Sequence, residues 1–154
     1  MHHIVFDHDG TLVDTTGTPR LFPEVEAMLK TLKEAGATLY LWTARDRQST
    51  LEILQSLGIK EFFKEISTAS DCDPKPSTAG LEIMLGESDK DDVFVVGDSM
   101  TDINGGSVYG AQTIAVTWGS DHQDIYAYFK QSPVDHVCET VQECQSVLLN
   151  WINE

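Results

Sequence analysis

The sequence predicts a three-layer α/β/α sandwich built on a mainly parallel, Rossmann-like sheet, and three observations lead to it. Short apolar runs of strand type alternate with amphipathic helical stretches along the chain, which is the pattern of βαβ units whose right-handed crossovers place helices on both faces of a sheet. Two runs, residues 4–6 and 93–96, are apolar at every position, as strands covered on both faces are. Both end abruptly in carboxylates, Asp7-His8-Asp9-Gly10 and Gly97-Asp98, at the strand ends where an open parallel sheet binds ligands.

In chain order, Gly10 stops the first strand, and Val25, Met28, Leu29 and Leu32 then recur at helical spacing between Pro23 and Gly36. Residues 38–42 form the second strand. Leu51, Ile53, Leu54 and Leu57 mark the next helix, stopped by Gly58. A helical turn around Phe62 and Phe63 leads into a brief strand at 65–68, and Pro76 opens a helix carrying Leu81, Met84 and Leu85. The run 93–96 is a central buried strand. Residues 99–109 read as helical, although Gly105-Gly106 weakens that helix by about 1 kcal/mol per glycine relative to alanine. A strand at 112–118, a helix at 121–131 and an edge strand at 134–138 follow. A capping box in Thr140 and Glu143 opens the last helix, with Val141, Cys144, Val147, Leu148, Trp151 and Ile152 along one face. With 154 residues and no repeat, low-complexity tract or linker, the expectation is one domain over 1–154.

Ten basic against 25 acidic side chains give a net charge of −15. A field of that sign repels phosphate backbones and anionic headgroups, which argues against nucleic-acid or membrane-surface binding. It also repels a phosphorylated small molecule unless a metal and a local cation reverse the sign inside a site. The three cysteines, Cys72, Cys138 and Cys144, show neither a CxxC spacing nor histidine partners at zinc-ligand intervals, so free thiols in a reducing compartment are expected. No leader-like or membrane-spanning segment is recognised, and a cytoplasmic location is the expectation.

The chemistry concentrates at the strand ends. Asp7 and Asp9 repel each other unless something cationic neutralises them, which points to a hard divalent ion; the bland alternative is an Asp9-Gly10 hairpin turn. Thr43 ends the second strand, where it either meets a ligand or caps the following helix. Lys75 precedes Pro76, which disfavours a helical conformation at that residue and leaves Lys75 outside the helix, free to reach the sheet edge or to be solvated. After 93–96 comes Gly97-Asp98-Ser99-Met100-Thr101-Asp102, in which Asp98 is a ligand or a cap and Asp102 a ligand, an outer-shell partner or an exposed acid. Arg45 and Arg47 either contact substrate or pair with surface acids.

In this order and spacing the residues resemble the haloacid dehalogenase-like superfamily of hydrolases, mostly phosphatases, over nearly the whole chain. Asp7 to Thr11 is similar to the family's Asp-x-Asp-Gly-Thr, the run 39–43 to its apolar strand ending in Thr or Ser, Lys75 to its helix-preceding lysine, and Gly97 to Asp102 to its Gly-Asp-x-x-x-Asp. The resemblance implies that Asp7 attacks phosphorus to form an aspartyl-phosphate and that Asp9 is the general acid and base. It implies Mg²⁺ held by Asp7, the Asp9 carbonyl and Asp98, with Asp102 as a candidate outer-shell group. Lys75 supplies a further cation, and Thr43 with the backbone amides at Ala44 and Arg45 holds the phosphoryl oxygens. His8 stands where the family usually has an apolar residue. Strand alternation turns it away from Asp7 and Asp9, as a hydrogen-bonded structural histidine.

Members of the family often carry a cap domain, for which the intervals from Asp14 to Thr43 and from Thr43 to Lys75 leave no room. Residues 15–21, rich in small and turn-forming types, would form only a short flap. An open site must exclude water by other means, through a bulky substrate or a neighbouring subunit. Trp42, Trp118, Tyr126, Tyr128 and Phe129 are candidates for such an interface or, more simply, for the core. The expectation is a capless, Mg²⁺-dependent phosphatase acting on a phosphorylated substrate. Its rivals are a phosphotransferase of the same superfamily and a non-catalytic phosphate-sensing module.

Overall fold

Strand β1 (His3–Phe6) runs through the middle of the sheet, and Ile4, Val5 and Phe6 are fully buried because both of its edges and both of its faces are covered. A computed structural model describes every residue, Met1–Glu154. After β1 come the two-residue strands β2 (Val13–Asp14) and β3 (Arg20–Leu21), α1 (Val25–Glu34), β4 (Thr38–Trp42), α2 (Arg47–Ser56) and β5 (Phe63–Ser67). The second half holds α3 (Ala79–Leu85), β6 (Val93–Gly97), α4 (Met100–Tyr109), β7 (Gln112–Val116), α5 (Ile125–Lys130), β8 (His136–Cys138) and α6 (Val141–Ile152).

Six strands form one parallel sheet in the order β5-β4-β1-β6-β7-β8, with Ile4 opposite Leu39 on one side and Phe94 on the other. Because side chains alternate along a strand, each strand feeds two cores. Ile4, Phe6, Leu39, Leu41, Phe94 and Val96 face α1, α2 and α6. Val5, Tyr40, Trp42, Val93 and Val95 face α3 and α4. Each large aliphatic side chain so buried contributes about 1.5–3 kcal/mol, and the result is the expected three-layer α/β/α sandwich without a cap.

Several boundaries differ from expectation. Pro76 does not open α3, which begins at Ala79; residues 74–77 instead form a turn closed by the Ser77 N–H on the Pro74 carbonyl at 3.0 Å. β5 starts at Phe63 rather than 65, since Phe63 is buried and pairs with Leu39. β7 stops at Val116, and α5 spans only Ile125–Lys130. The glycine pair in α4 has a packing reason. A Cβ at Gly106 would lie 2.9 Å from Val95 and Thr113, and one at Gly105 would lie 2.5 Å from the Trp42 ring. The intrinsic cost of the pair is offset by close approach of the helix to the sheet.

The expected flap is a small antiparallel hairpin, β2 with β3, in which Val13 pairs with Leu21. Of the five aromatic residues singled out, Trp42 and Phe129 are buried and Trp118 is half-buried, donating its Nε1–H to the Thr11 carbonyl at 2.8 Å. Tyr126 and Tyr128 are exposed. No helix is long and apolar enough to cross a membrane.

Candidate active site

The carboxyl ends of β1, β4 and β6 frame a cavity of about 370 Å³ lined by Asp7, Asp9, Thr43, Ala44, Arg45, Lys75, Asp98, Ser99 and Thr101. Larger concavities lie elsewhere, including one of about 520 Å³ at the opposite edge of the sheet beside His2 and Trp151. The strand-tip cavity is the one that joins the carboxyl ends of the strands with the acids Asp7, Asp9 and Asp98 and the cations Arg45 and Lys75. Of the residues singled out from the sequence, Asp7, Asp9, Thr43, Ala44, Arg45, Lys75 and Asp98 line it, and Asp102 lies directly beneath. Arg47 turns outward to Asp71 at 2.8 Å.

Asp7 follows β1 and is held by its own backbone, whose N–H bonds the Val96 carbonyl at 2.9 Å. Its Oδ1 accepts from Lys75 Nζ at 2.8 Å and its Oδ2 from the Thr11 hydroxyl at 3.1 Å. Carboxylate oxygens of Asp7, Asp98 and Asp102 all lie within 4.8 Å of one another. Two glycines permit this crowding: a Cβ at Gly10 would collide with the Asp98 carboxylate, and one at Gly97 with that of Asp102. Asp102 is 1% exposed and is no surface acid. It sits in the first turn of α4, where Asp102 Oδ2 accepts the Ser99 N–H at 3.1 Å and the Ser99 hydroxyl at 2.9 Å, so it caps the helix as well as facing the site.

Lys75 is the counter-ion of this cluster. Its side chain is 3% exposed, bonds both Asp7 and Asp102, and lies 4.9 Å from the centre of the Trp42 ring. Burial alone would lower its pKa, but the two carboxylates outweigh that and raise it. The crowded acids move the other way. Burial, then the charge of Asp7, pushes Asp98 up to about 8. Burial and Asp7 also raise Asp102, against the opposing pull of Lys75 and Ser99.

Thr43 is buried at the tip of β4, and its hydroxyl accepts the Arg45 N–H at 3.1 Å. It does not cap α2; Asp46 does, accepting the Ser49 N–H at 2.9 Å. Thr43 is therefore free to face the cavity beside the backbone of Ala44 and Arg45.

The surroundings of Asp9 are the part sequence reasoning missed. Its Oδ1 accepts from Arg45 Nε at 3.1 Å and from His8 Nδ1 at 2.5 Å, and its Oδ2 from Arg45 Nη2 at 2.7 Å and the Thr15 hydroxyl at 3.3 Å. His8 is hydrogen-bonded as expected but does not turn away from Asp9. β1 ends at Phe6, so strand alternation no longer governs position 8. His8 is fully buried and its Nε2 has no partner. Burial alone would raise the Asp9 pKa, but the His8 and Arg45 bonds hold its carboxyl well below the usual range.

Residues 16–116 match the family model of haloacid dehalogenase-like hydrolases. The chain belongs to this family. The matched segment starts after the Asp7–Thr11 motif, so the motif is an observation independent of the match. Among curated relatives, the phosphoglycolate phosphatase of Yersinia pestis is 31% identical over 126 residues, covering 80% of this chain and 54% of that protein. Pyrophosphatase PpaX of Bacillus pumilus (strain SAFR-032) is 32% identical over 119 residues, 73% of this chain and 54% of its own length. The chain thus spans about half the length of these relatives. The crystal structure of a predicted phosphoglycolate phosphatase from Haemophilus somnus 129PT shares the fold, with TM-score 0.85 at 18% identity over 96% of this chain and 97% of that one.

Proposed function

We propose that this haloacid dehalogenase-like chain hydrolyses a phosphate monoester through an aspartyl-phosphate on Asp7, with Mg²⁺ as cofactor. The observation that carries the reading is the meeting of Asp7, Asp98 and Asp102 around the buried Lys75 ammonium at the strand tips. The donor set fits a hard divalent ion. Three carboxylates face one ammonium, and burial together with the charge of Asp7 pushes the Asp98 carboxyl up to about 8, as in a site short of positive charge. Asp7, Asp98 and the Asp9 carbonyl, which accepts no hydrogen bond from the protein, would hold the ion, with Asp102 behind them. Bound Mg²⁺ would supply the positive charge that lets an anionic phosphoryl group approach a carboxylate.

The chain's own residues do the rest. Thr11 and Lys75 orient the Asp7 carboxylate for in-line attack, forming the Asp7–phosphorus bond as the bond to the leaving oxygen breaks. Asp9, once it has taken up a proton from solvent, delivers it to that oxygen and then takes one from the water that displaces Asp7, releasing inorganic phosphate. Thr43, the amides at Ala44 and Arg45, and Lys75 hold the phosphoryl oxygens. The cavity attracts locally against a surface of net charge −15, which favours a soluble, cytoplasmic phosphate ester over nucleic acid or a lipid headgroup. The β2–β3 hairpin contributes no residue to the lining of the cavity, so the substrate itself or a second subunit would cover the site.

The test is a screen of phosphorylated metabolites with Mg²⁺, run beside Asp7→Asn and beside EDTA. Phosphate release should vanish in both controls and return on adding Mg²⁺ to the chelated wild type. Equal release by Asp7→Asn would remove Asp7 as nucleophile.

A further inference from the structure

Asp9 accepts four hydrogen bonds, two of them from Arg45 through Nε and Nη2 at 3.1 and 2.7 Å and the others from His8 and Thr15, so both lone pairs of each carboxylate oxygen are taken although the side chain is 40% exposed. A carboxylate clamped in this way cannot present an oxygen to a leaving group. Asp9 has two other anchors, His8 Nδ1 and the Thr15 hydroxyl, that would keep its position if Arg45 left. Arg45, in turn, lies on the loop between β4 and α2 with its side chain 28% exposed, and its Nη1 also bonds Ser49 at 3.3 Å.

Lys75 and Arg45 are the only cations lining the cavity, and Lys75 is buried and locked between two acids. Arg45 is therefore the one guanidinium or ammonium at the mouth able to change partners. It stands beside Asp9, which is the side of the site where the leaving oxygen must lie if Asp7 is in line on the other.

Resting on the phosphatase reading, we propose that Arg45 selects substrates carrying a second anionic group one or two bonds beyond the ester oxygen. The guanidinium exchanges the Asp9 carboxylate for that group, so that the same event grips the substrate and frees Asp9. A planar fork of donors suits a carboxylate or a second phosphoryl group equally. The named relatives agree in one respect: phosphoglycolate carries a carboxylate, and pyrophosphate a second phosphoryl group, next to the scissile bond.

The experiment compares 2-phosphoglycolate with ethyl phosphate, which has the same ester but no second anion. Wild-type kcat/KM should favour phosphoglycolate by at least about tenfold, the range of a charge-assisted bidentate contact. Arg45→Met should bring the ratio to within about twofold of unity, through a higher KM for phosphoglycolate and a higher kcat for ethyl phosphate, and Arg45→Lys should restore part of it. A second arm measures binding by calorimetry in Asp7→Asn and in Asp7→Asn with Arg45→Met, where no turnover is needed. Tighter binding of phosphoglycolate that disappears with Arg45 supports the proposal. Equal loss for both esters, or equal binding of both, overturns it and leaves Arg45 as a partner of Asp9 alone. If neither ester is hydrolysed by the wild type, the metabolite screen above decides the phosphatase reading, while the binding arm still decides the role of Arg45.

Discussion

Lys75 reaches Asp7 across 68 residues of sequence, its Nζ 2.8 Å from Asp7 Oδ1 with 3% of the lysine side chain exposed. A lysine is rarely buried this far unless its charge is answered, and here Asp102 answers it from the other side.

Replacing Lys75 by Met should therefore do more than remove a ligand-binding cation. Two buried carboxylates lose their counter-ion, and breaking such a pair costs on the order of 3–5 kcal/mol. Urea denaturation of the metal-free protein measures this, and Mg²⁺ should recover part of the loss. A loss below about 1 kcal/mol would mean that the acids are not ionised around Lys75.

The pH dependence of stability has a definite sign in the neutral range. The folded-state pKa of Asp98, about 8, lies above its unfolded value, so its contribution is fully present below about pH 4, declines as pH rises and is gone above 8. Burial lowers the pKa of His3, which acts in the opposite sense near pH 6, so the comparison must be made against Asp98→Asn. Wild-type Tm without metal should fall from pH 5.5 to 8 relative to that variant. Mg²⁺ should raise Tm more at pH 8 than at pH 5.5, because at the lower pH the ion must first displace a proton. An identical pH slope in the two proteins would contradict this.

Gly10→Ala separates strain from collision. Gly10 has φ +82° and its Cβ would strike the Asp98 carboxylate, whereas Gly36, with φ +101°, has nothing within 4 Å. Both substitutions should cost about 1–2 kcal/mol for the left-handed backbone. Only Gly10→Ala should also weaken Mg²⁺ binding, by tenfold or more in a titration followed by calorimetry. Equal metal affinity in the two variants would show that Asp98 has room to move aside.

Thr140→Ala is the counterpart far from the site. Its hydroxyl oxygen accepts the Glu143 N–H at 3.1 Å at the start of α6, so its loss should cost about 1 kcal/mol. Phosphate release and Mg²⁺ affinity should stay at wild-type levels. A drop in either would mean that α6 couples to the strand tips.

Local sequence was enough for much of this molecule. Apolar runs closed by glycines and carboxylates define β1 and β6, because a strand covered on both faces has no use for polar side chains. The period of Val25, Met28, Leu29 and Leu32 defines α1 in the same way. The strand tips carrying Asp7, Thr43 and Asp98 follow from those runs, since parallel topology sends their ends to one edge. Short elements were harder: α5 and the start of α3 are set by neighbouring turns rather than by any period of their own.

What tertiary structure decided are the partnerships at that edge. Whether Asp102 is a surface acid or a buried capping carboxylate depends on how closely α4 approaches β6, which Gly97 and Gly106 allow but no pattern in the chain announces. The pairing of Arg45 with Asp9, and of Lys75 with two acids at once, joins loops 36, 68 and 27 residues apart. Sequence settles which groups stand at the sheet edge because strand burial is a local property. Which charge faces which is a matter of distances of a few ångströms between separate loops, and only the packed fold determines those.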